Sequence, residues 1–107
     1  MSEYTSIKTA VLLTLSERMP ELVERFGITA ISLFGSVARG EDTAESDIDF
    51  VVSFSPEHDK YMNFLNLNDF LEELFERKVD LLTERSIHPK LKPFITSDRI
   101  LCTPAKA

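Results

Sequence analysis

Apolar positions along the chain change period several times, and each change marks an element. From Thr5 to Met19, Ile7, Val11, Leu12, Leu15 and Met19 recur at helical spacing, which predicts an amphipathic helix. Pro20 suits the first turn of a second, short helix carrying Leu22, Val23 and Phe26, with Gly27 as its C-terminal stop. Ile28 to Phe34 is rich in β-branched and apolar residues and reads as a strand. Gly35 breaks it, and Ser36 to Arg39 begins a short helix. Glu41 to Ser46 is a polar loop, with Glu41, Asp42 and Glu45 expected simply to solvate it. Ile48 to Phe54 is a second strand, ended by Ser55-Pro56. Asp59 to Arg77 reads as a long helix whose stripe is Tyr61, Phe64, Leu65, Leu67, Leu71, Leu74 and Phe75. Val79 to Thr83 is a third strand with Asp80 inside it. Pro89 to Ser97 is expected to be a last helix, turning Leu91, Phe94 and Ile95 inward. Ile100 to Cys102 is either a short edge strand or a packed tail.

This order predicts an α/β (α+β) fold, a small mixed sheet with helices packed on one face and the functional site on the other. At 107 residues, a single domain spanning 1–107 is expected. No apolar run is long enough to span a membrane, and Met1 to Thr9 lacks the basic start and apolar core of a secretory signal. A single cysteine, Cys102, allows no internal disulfide and suits a reducing cytoplasm, where it is expected as a small buried hydrophobe. The formal net charge of -6, with only a loose basic cluster from Lys78 to Lys92, argues against long nucleic acid as a substrate.

The chemistry concentrates in two stretches, Phe34-Gly35-Ser36-Val37-Ala38-Arg39-Gly40 and Ser46-Asp47-Ile48-Asp49-Phe50-Val51-Val52. Alternation on a strand puts Asp47 and Asp49 on one face and Ile48, Phe50 and Val52 on the other. Aspartate is disfavoured in strands and costly to bury unpaired, and the second strand has no Lys or Arg to pair with it. Asp47, Asp49 and Asp80 together therefore suit Mg²⁺ or Mn²⁺, a pair of which clamps the attacking and leaving oxygens of an in-line displacement. A D-x-D by itself is more often a pair of ordinary loop or strand-end residues; the upstream Gly-Ser and the later Asp80 reverse that reading. Gly35 and Ser36 form a strand-to-helix turn whose free N–H groups and hydroxyl suit phosphate; alone, they are an ordinary turn with a serine cap. His58 and His88 have no ligand spacing and are expected to be structural or exposed. Tyr61, Phe64, Phe70 and Phe75 are expected to be packing residues, with Tyr61 the exception because it follows the second strand closely.

Together these residues resemble the nucleotidyltransferase superfamily that includes DNA polymerase beta, the CCA-adding enzymes and kanamycin nucleotidyltransferase. The FGSxARG and SDIDxxV stretches, with Val79-Asp80-Leu81-Leu82 after a helix, are similar to its smallest branch, the minimal nucleotidyltransferases (MNT). The resemblance implies that Gly35 and Ser36 bind the triphosphate, and that Asp47 and Asp49 ligate two metal ions. Asp80 would complete the metal site and help activate the attacking hydroxyl. Arg39 either lies near the nucleotide phosphates or the acceptor, or pairs at the surface with Glu41 or Asp42.

Few residues follow Asp80, so an acceptor domain is not expected, and the acceptor would be a separate protein. The resemblance implies an antitoxin that transfers AMP from ATP to a tyrosine of a cognate HEPN ribonuclease toxin, as part of a hetero-oligomer in the cytoplasm. Two alternatives stand beside it. One is a non-catalytic binding module that neutralises its partner by covering it. The other is nucleotidyl transfer to a small molecule, with a second subunit.

Overall fold

The computed structural model describes residues 3–104 of the chain. Helix α1 is one element, Lys8–Phe26, where the sequence pattern predicts two helices meeting at Pro20. The proline is accommodated because Pro20 and Ser16, whose carbonyl loses its partner, both lie on the exposed side, where the carbonyl is accessible to solvent. Val11, Leu15, Met19, Leu22 and Phe26 then form one continuous buried stripe. Gly27 stops the helix in the left-handed conformation, at φ 65°, and donates its N–H to the Val23 carbonyl.

The strands are β1 (Ile28–Phe34), β2 (Ile48–Phe54), β3 (Val79–Thr83) and β4 (Ile100–Cys102). They form one four-stranded sheet in the order β3-β2-β1-β4. β1 is antiparallel to β2 and β4, and β2 is parallel to β3, so the sheet is mixed. Ile100–Cys102 is thus an edge strand rather than a packed tail. A parallel pair needs a crossover, supplied by α3 (Tyr61–Phe75). That helix is shorter than the predicted Asp59 to Arg77. A 3-10 turn at Pro56–His58 precedes it, and Glu76 at φ 50° ends it.

The core lies between the sheet and α1 and α3. Ile31, Leu33, Ile48, Phe50, Val52, Val79 and Leu81 project from the strands onto Leu15, Leu22, Leu67 and Leu71. Phe64, Phe70 and Phe75 pack at its margin, as expected of them. Tyr61 does not join the stripe and is 74% exposed. With 3.6 residues per turn it falls about 100° from the mean direction of Leu67 and Leu71, whereas Phe64 falls about 40° from it.

The other sheet face carries a smaller cluster of Val51, Ile87 and Ile95, with Phe34 against it. Ile95 comes from α4, Lys92–Thr96, a single turn that replaces the longer predicted helix. Leu91 and Phe94 were expected to face inward with it, but both are exposed. Leu91 precedes the helix, in a turn where it donates its N–H to the His88 carbonyl.

A second departure concerns Asp42. Rather than solvating its loop, it is 7% exposed and accepts hydrogen bonds from Tyr4 Oη, Ser6 Oγ and the Ile7 N–H at the start of α1. Burial alone would raise its pKa, but those hydrogen bonds outweigh it and hold the carboxyl below the usual range. Its stabilisation is therefore present at neutral pH and lost on acidification through the folded-state pKa. Asp42→Ala should cost about 1–3 kcal/mol in urea unfolding at pH 7, by orphaning these donors. An unchanged midpoint would show that the contacts contribute nothing.

Between α2 (Gly35–Arg39) and the core, Val37 and Ala38 are buried, so this short helix is anchored at the end of β1. Among the described residues no helix is long and apolar enough to cross a membrane.

Candidate active site

The register of β2 against β3 sets Asp49 directly beside Asp80, and the register of β1 against β2 sets Phe34 beside Asp49. Strand alternation keeps the Asp47 and Asp49 side chains off the core face, where Ile48, Phe50 and Val52 are buried. Asp49 and Asp80 come together because adjacent strands lie only about 4.8 Å apart. Asp49 is half-buried and Asp80 exposed, so the pair sits at a rim open to solvent.

Gly35 closes on this pair from the end of β1. Its φ is +77°, in the region that favours glycine, and a Cβ placed there would overlap Asp49 Oδ2. The glycine therefore does two things at once: it turns the chain into α2 and makes room for a carboxylate. Ser36 follows in the first turn of α2, and its carbonyl accepts the N–H of Glu41 at 2.9 Å, holding the turn closed.

Asp49 carries the strongest electrostatic signal of the group, its pKa raised to about 6. Burial is the largest cause, followed by the charges of Asp80 and Asp47, and Asp80 lies close enough to hydrogen-bond the protonated form. The Arg39 guanidinium opposes the shift, so it acts on the site from a distance. Arg39 itself bonds Glu41 through Nε at 2.7 Å and Asp98 through Nη1 at 2.6 Å. The pairing with Glu41 is one of the two arrangements anticipated for it; Asp98 takes the second position, because Asp42 is buried under the start of α1.

Among the described residues, no three His, Cys, Asp or Glu side chains are gathered as a ready ligand set for one ion. The donor chemistry nonetheless fits a hard divalent cation: three aspartates supply only oxygen, and their mutual repulsion at Asp49 is the stress a cation relieves. The absence of a side chain at Gly35 leaves room for the Asp49 carboxylate at the end of β1.

A polar network on the same sheet face has no counterpart in the sequence reading. Buried Ser32 accepts from Arg99 Nε at 2.7 Å, and Arg99 Nη1 donates to Glu84 Oε1 at 2.9 Å. It ties β1 to the turn after β3 and to the segment before β4. Its members are far apart in the chain, and no spacing pattern reveals them. His58 accepts or donates at Ser55 Oγ and packs against Gly27, and His88 is exposed, as expected of both. Cys102 is half-buried on the edge strand, with burial raising its thiol pKa, so it remains a protonated thiol. A cavity of about 780 Å³ between α1 and α3, lined by Arg25, Asn66, Asp69 and Glu73, contains none of the clustered aspartates.

The chain is similar to known proteins in both sequence and fold. A family model for the nucleotidyltransferase domain matches residues 15–102. A protein of Methanocaldococcus jannaschii, provisionally named a protein adenylyltransferase, is 43% identical over 81 residues, covering 74% of this chain and 81% of its own. A solved structure provisionally described as a minimal nucleotidyltransferase superposes with a TM-score of 0.72 at 32% identity, covering 85% of this chain and 92% of that one. A toxin–antitoxin crystal structure with AMP-PNP shares the fold, with a TM-score of 0.65 at 23% identity over 80% of this chain and 70% of that one.

Proposed function

Since this chain belongs to the nucleotidyltransferase domain family, we propose that it transfers AMP from ATP to a protein hydroxyl, a tyrosine of a HEPN-type toxin. In this reading it is the toxin's antitoxin, a single cytoplasmic domain over 1–107 that works as a hetero-oligomer. Asp49 carries the reading. It is crowded by Asp80 and Asp47, seated against a glycine that leaves no room for a side chain, and poised for a cation. The M. jannaschii relative supports AMP as the transferred group and a protein as the acceptor.

The chemistry follows from the donors. Gly35 and Ser36 hold the triphosphate through the N–H groups of the α2 turn and the serine hydroxyl. Asp47 and Asp49, with Asp80, would hold the metal ions. Bound there, two divalent cations, Mg²⁺ or Mn²⁺, would supply the charge that neutralises the phosphates and lowers the pKa of the acceptor hydroxyl. The hydroxyl oxygen attacks the α-phosphorus in line, and the bond to the β-phosphate bridging oxygen breaks. Pyrophosphate leaves, and Asp80, the exposed member of the cluster, takes the hydroxyl proton. Arg39, held by Glu41 and Asp98, adds positive potential over the phosphates without direct ligation.

The test is an extract of the source cells given the protein, Mg²⁺ and ATP labelled on the α-phosphate, with Asp47→Asn in parallel. A protein labelled only by the intact enzyme, and not from γ-labelled ATP, is the expected result. Label that appears equally with Asp47→Asn would remove the aspartates from the mechanism. Neutralisation of the partner without any label would mean a binding module.

A further inference from the structure

The edge of the sheet nearest the aspartates is open. β3 is an outer strand, bonded to β2 through alternate residues, as in the Ile48 N–H to the Lys78 carbonyl. In that ladder the N–H and C=O groups of Val79, Leu81 and Thr83 point away from β2. The two ends of this outward row are closed off by side chains. Glu72 of α3 accepts the Val79 N–H at 2.9 Å, and Ser86 Oγ donates to the Thr83 carbonyl at 2.9 Å. Left facing outward are the Val79 carbonyl, both groups of Leu81 and the Thr83 N–H. Edge strands are ordinarily blunted along their length, and this one is blunted only at its ends.

A cleft runs along the open stretch. One part, about 280 Å³, is lined by Lys60, Tyr61, Phe64, Leu82 and Arg85. An adjoining part, about 260 Å³, shares Asp59, Thr83 and Arg85 with it and ends at Lys92. Tyr61 is 74% exposed and Leu82 38% exposed, so the cleft offers apolar surface with nothing on it. Its acidic lining residues are already paired, Asp59 with Arg85 at 3.0 Å and Glu84 with Arg99 at 2.8 Å, which leaves Lys60 and Lys92 as the lining charges outside those pairs. Leu82 lies two residues beyond Asp80, on the same sheet face, so the cleft borders the candidate active site through β3.

We propose that this edge is where the acceptor docks: an extended, acidic segment of the acceptor protein pairs with the backbone of Leu81 and Thr83 and lays its hydroxyl-bearing residue across from Asp80. This rests on the AMP-transfer reading and deepens it by specifying how the acceptor is presented. Antiparallel pairing on Leu81 makes the residue opposite Asp80 a non-hydrogen-bonded neighbour. Its side chain then emerges on Asp80's face with a Cβ–Cβ distance of about 4.5–5.5 Å. Backbone pairing supplies register, exposed Leu82 meets a neighbouring side chain on Asp80's face, and Lys60 and Lys92 favour acidic segments.

Thr83→Pro tests this directly. Thr83 has φ -89°, about 25° from the proline value, and its N–H serves no ladder bond, so the substitution removes an outward donor with a small backbone adjustment and leaves the sheet paired. Leu82→Glu places a negative charge in the cleft at an exposed position and serves as the second variant. With the acceptor isolated by α-phosphate labelling, each should raise the acceptor KM tenfold or more while the Kd for Mg²⁺–ATP stays within twofold. Wild-type acceptor KM in both variants overturns edge docking and leaves AMP transfer standing. A concentration-dependent dimer of the wild-type chain that Thr83→Pro dissolves also overturns it, because the edge would then be occupied by a second copy. No labelled protein with wild-type enzyme overturns both readings together.

Discussion

Asp49→Asn should reduce AMP transfer by about a thousandfold or more, and should also make the metal-free protein more stable at pH 8. The first effect follows from removing a charged donor where charge develops on the transferred phosphate. The second follows from linkage. The Asp49 pKa is raised to about 6 from 3.8, so the folded state binds this proton more tightly than the unfolded chain does. The resulting stability is complete below about pH 4 and is lost as pH rises through 6. At pH 8 the wild-type chain carries the full penalty, reduced by solvent at this half-buried rim to about 1 kcal/mol. Asparagine removes it. Thermal melts of both proteins in EDTA should therefore separate at pH 8 and converge at pH 4. Adding Mg²⁺ should restore the wild type but not the variant, and Mg²⁺ binding should weaken below pH 6 as the proton competes. Coincident melts at every pH would show that Asp49 is not under charge stress, and normal transfer by the variant would remove it from the metal site.

Gly35→Ala should be nearly as damaging, although it removes no functional group. Alanine pays about 1–2 kcal/mol for the left-handed backbone at φ +77°. Its methyl group would overlap Asp49 Oδ2, which has to swing away or push α2 back. A displacement near 1 Å at a reacting centre costs about a hundredfold in rate. The expected result is a transfer rate lower by that factor or more, with a melting temperature reduced by a few degrees. Mg²⁺ affinity should fall with the rate, since it is the carboxylate that moves. A Gly35→Ala enzyme with full activity would mean that the α2 turn can relax and that the close approach has no catalytic consequence.

Where the chain reports its own structure, it does so through contrast between neighbours. Ile28–Phe34 and Ile48–Phe54 are strands over the ranges their composition predicts, because β-branched runs end abruptly at Gly27, Gly35 and Ser55-Pro56. The period-two arrangement of Asp47 and Asp49 around Ile48 likewise puts the carboxylates off the core face. The pattern misleads where a local rule meets a tertiary exception. Pro20 ought to start a helix, but an exposed carbonyl can use water, and a continuous buried stripe outweighs one lost bond. Asp42 ought to be solvent-facing in an acidic loop, but Tyr4 and Ser6 fold over it from the far side of α1's start.

What the sequence by itself determined is the chemistry carried by each segment: a Gly-Ser turn, two aspartates in alternation, a third inside a later strand, and a net charge of -6. These are properties of residue type and local spacing, and they survive any arrangement of the segments. Only the tertiary structure decided that Asp49 stands beside Asp80, and that Gly35 is empty because Asp49 fills its place. It alone decided that Arg39 is held by Asp98, and that the outer edge of β3 lies open beside Asp80. Each of these depends on strand register and on contacts between residues distant in the chain. Register is a collective outcome of core packing, so no local window of sequence contains it.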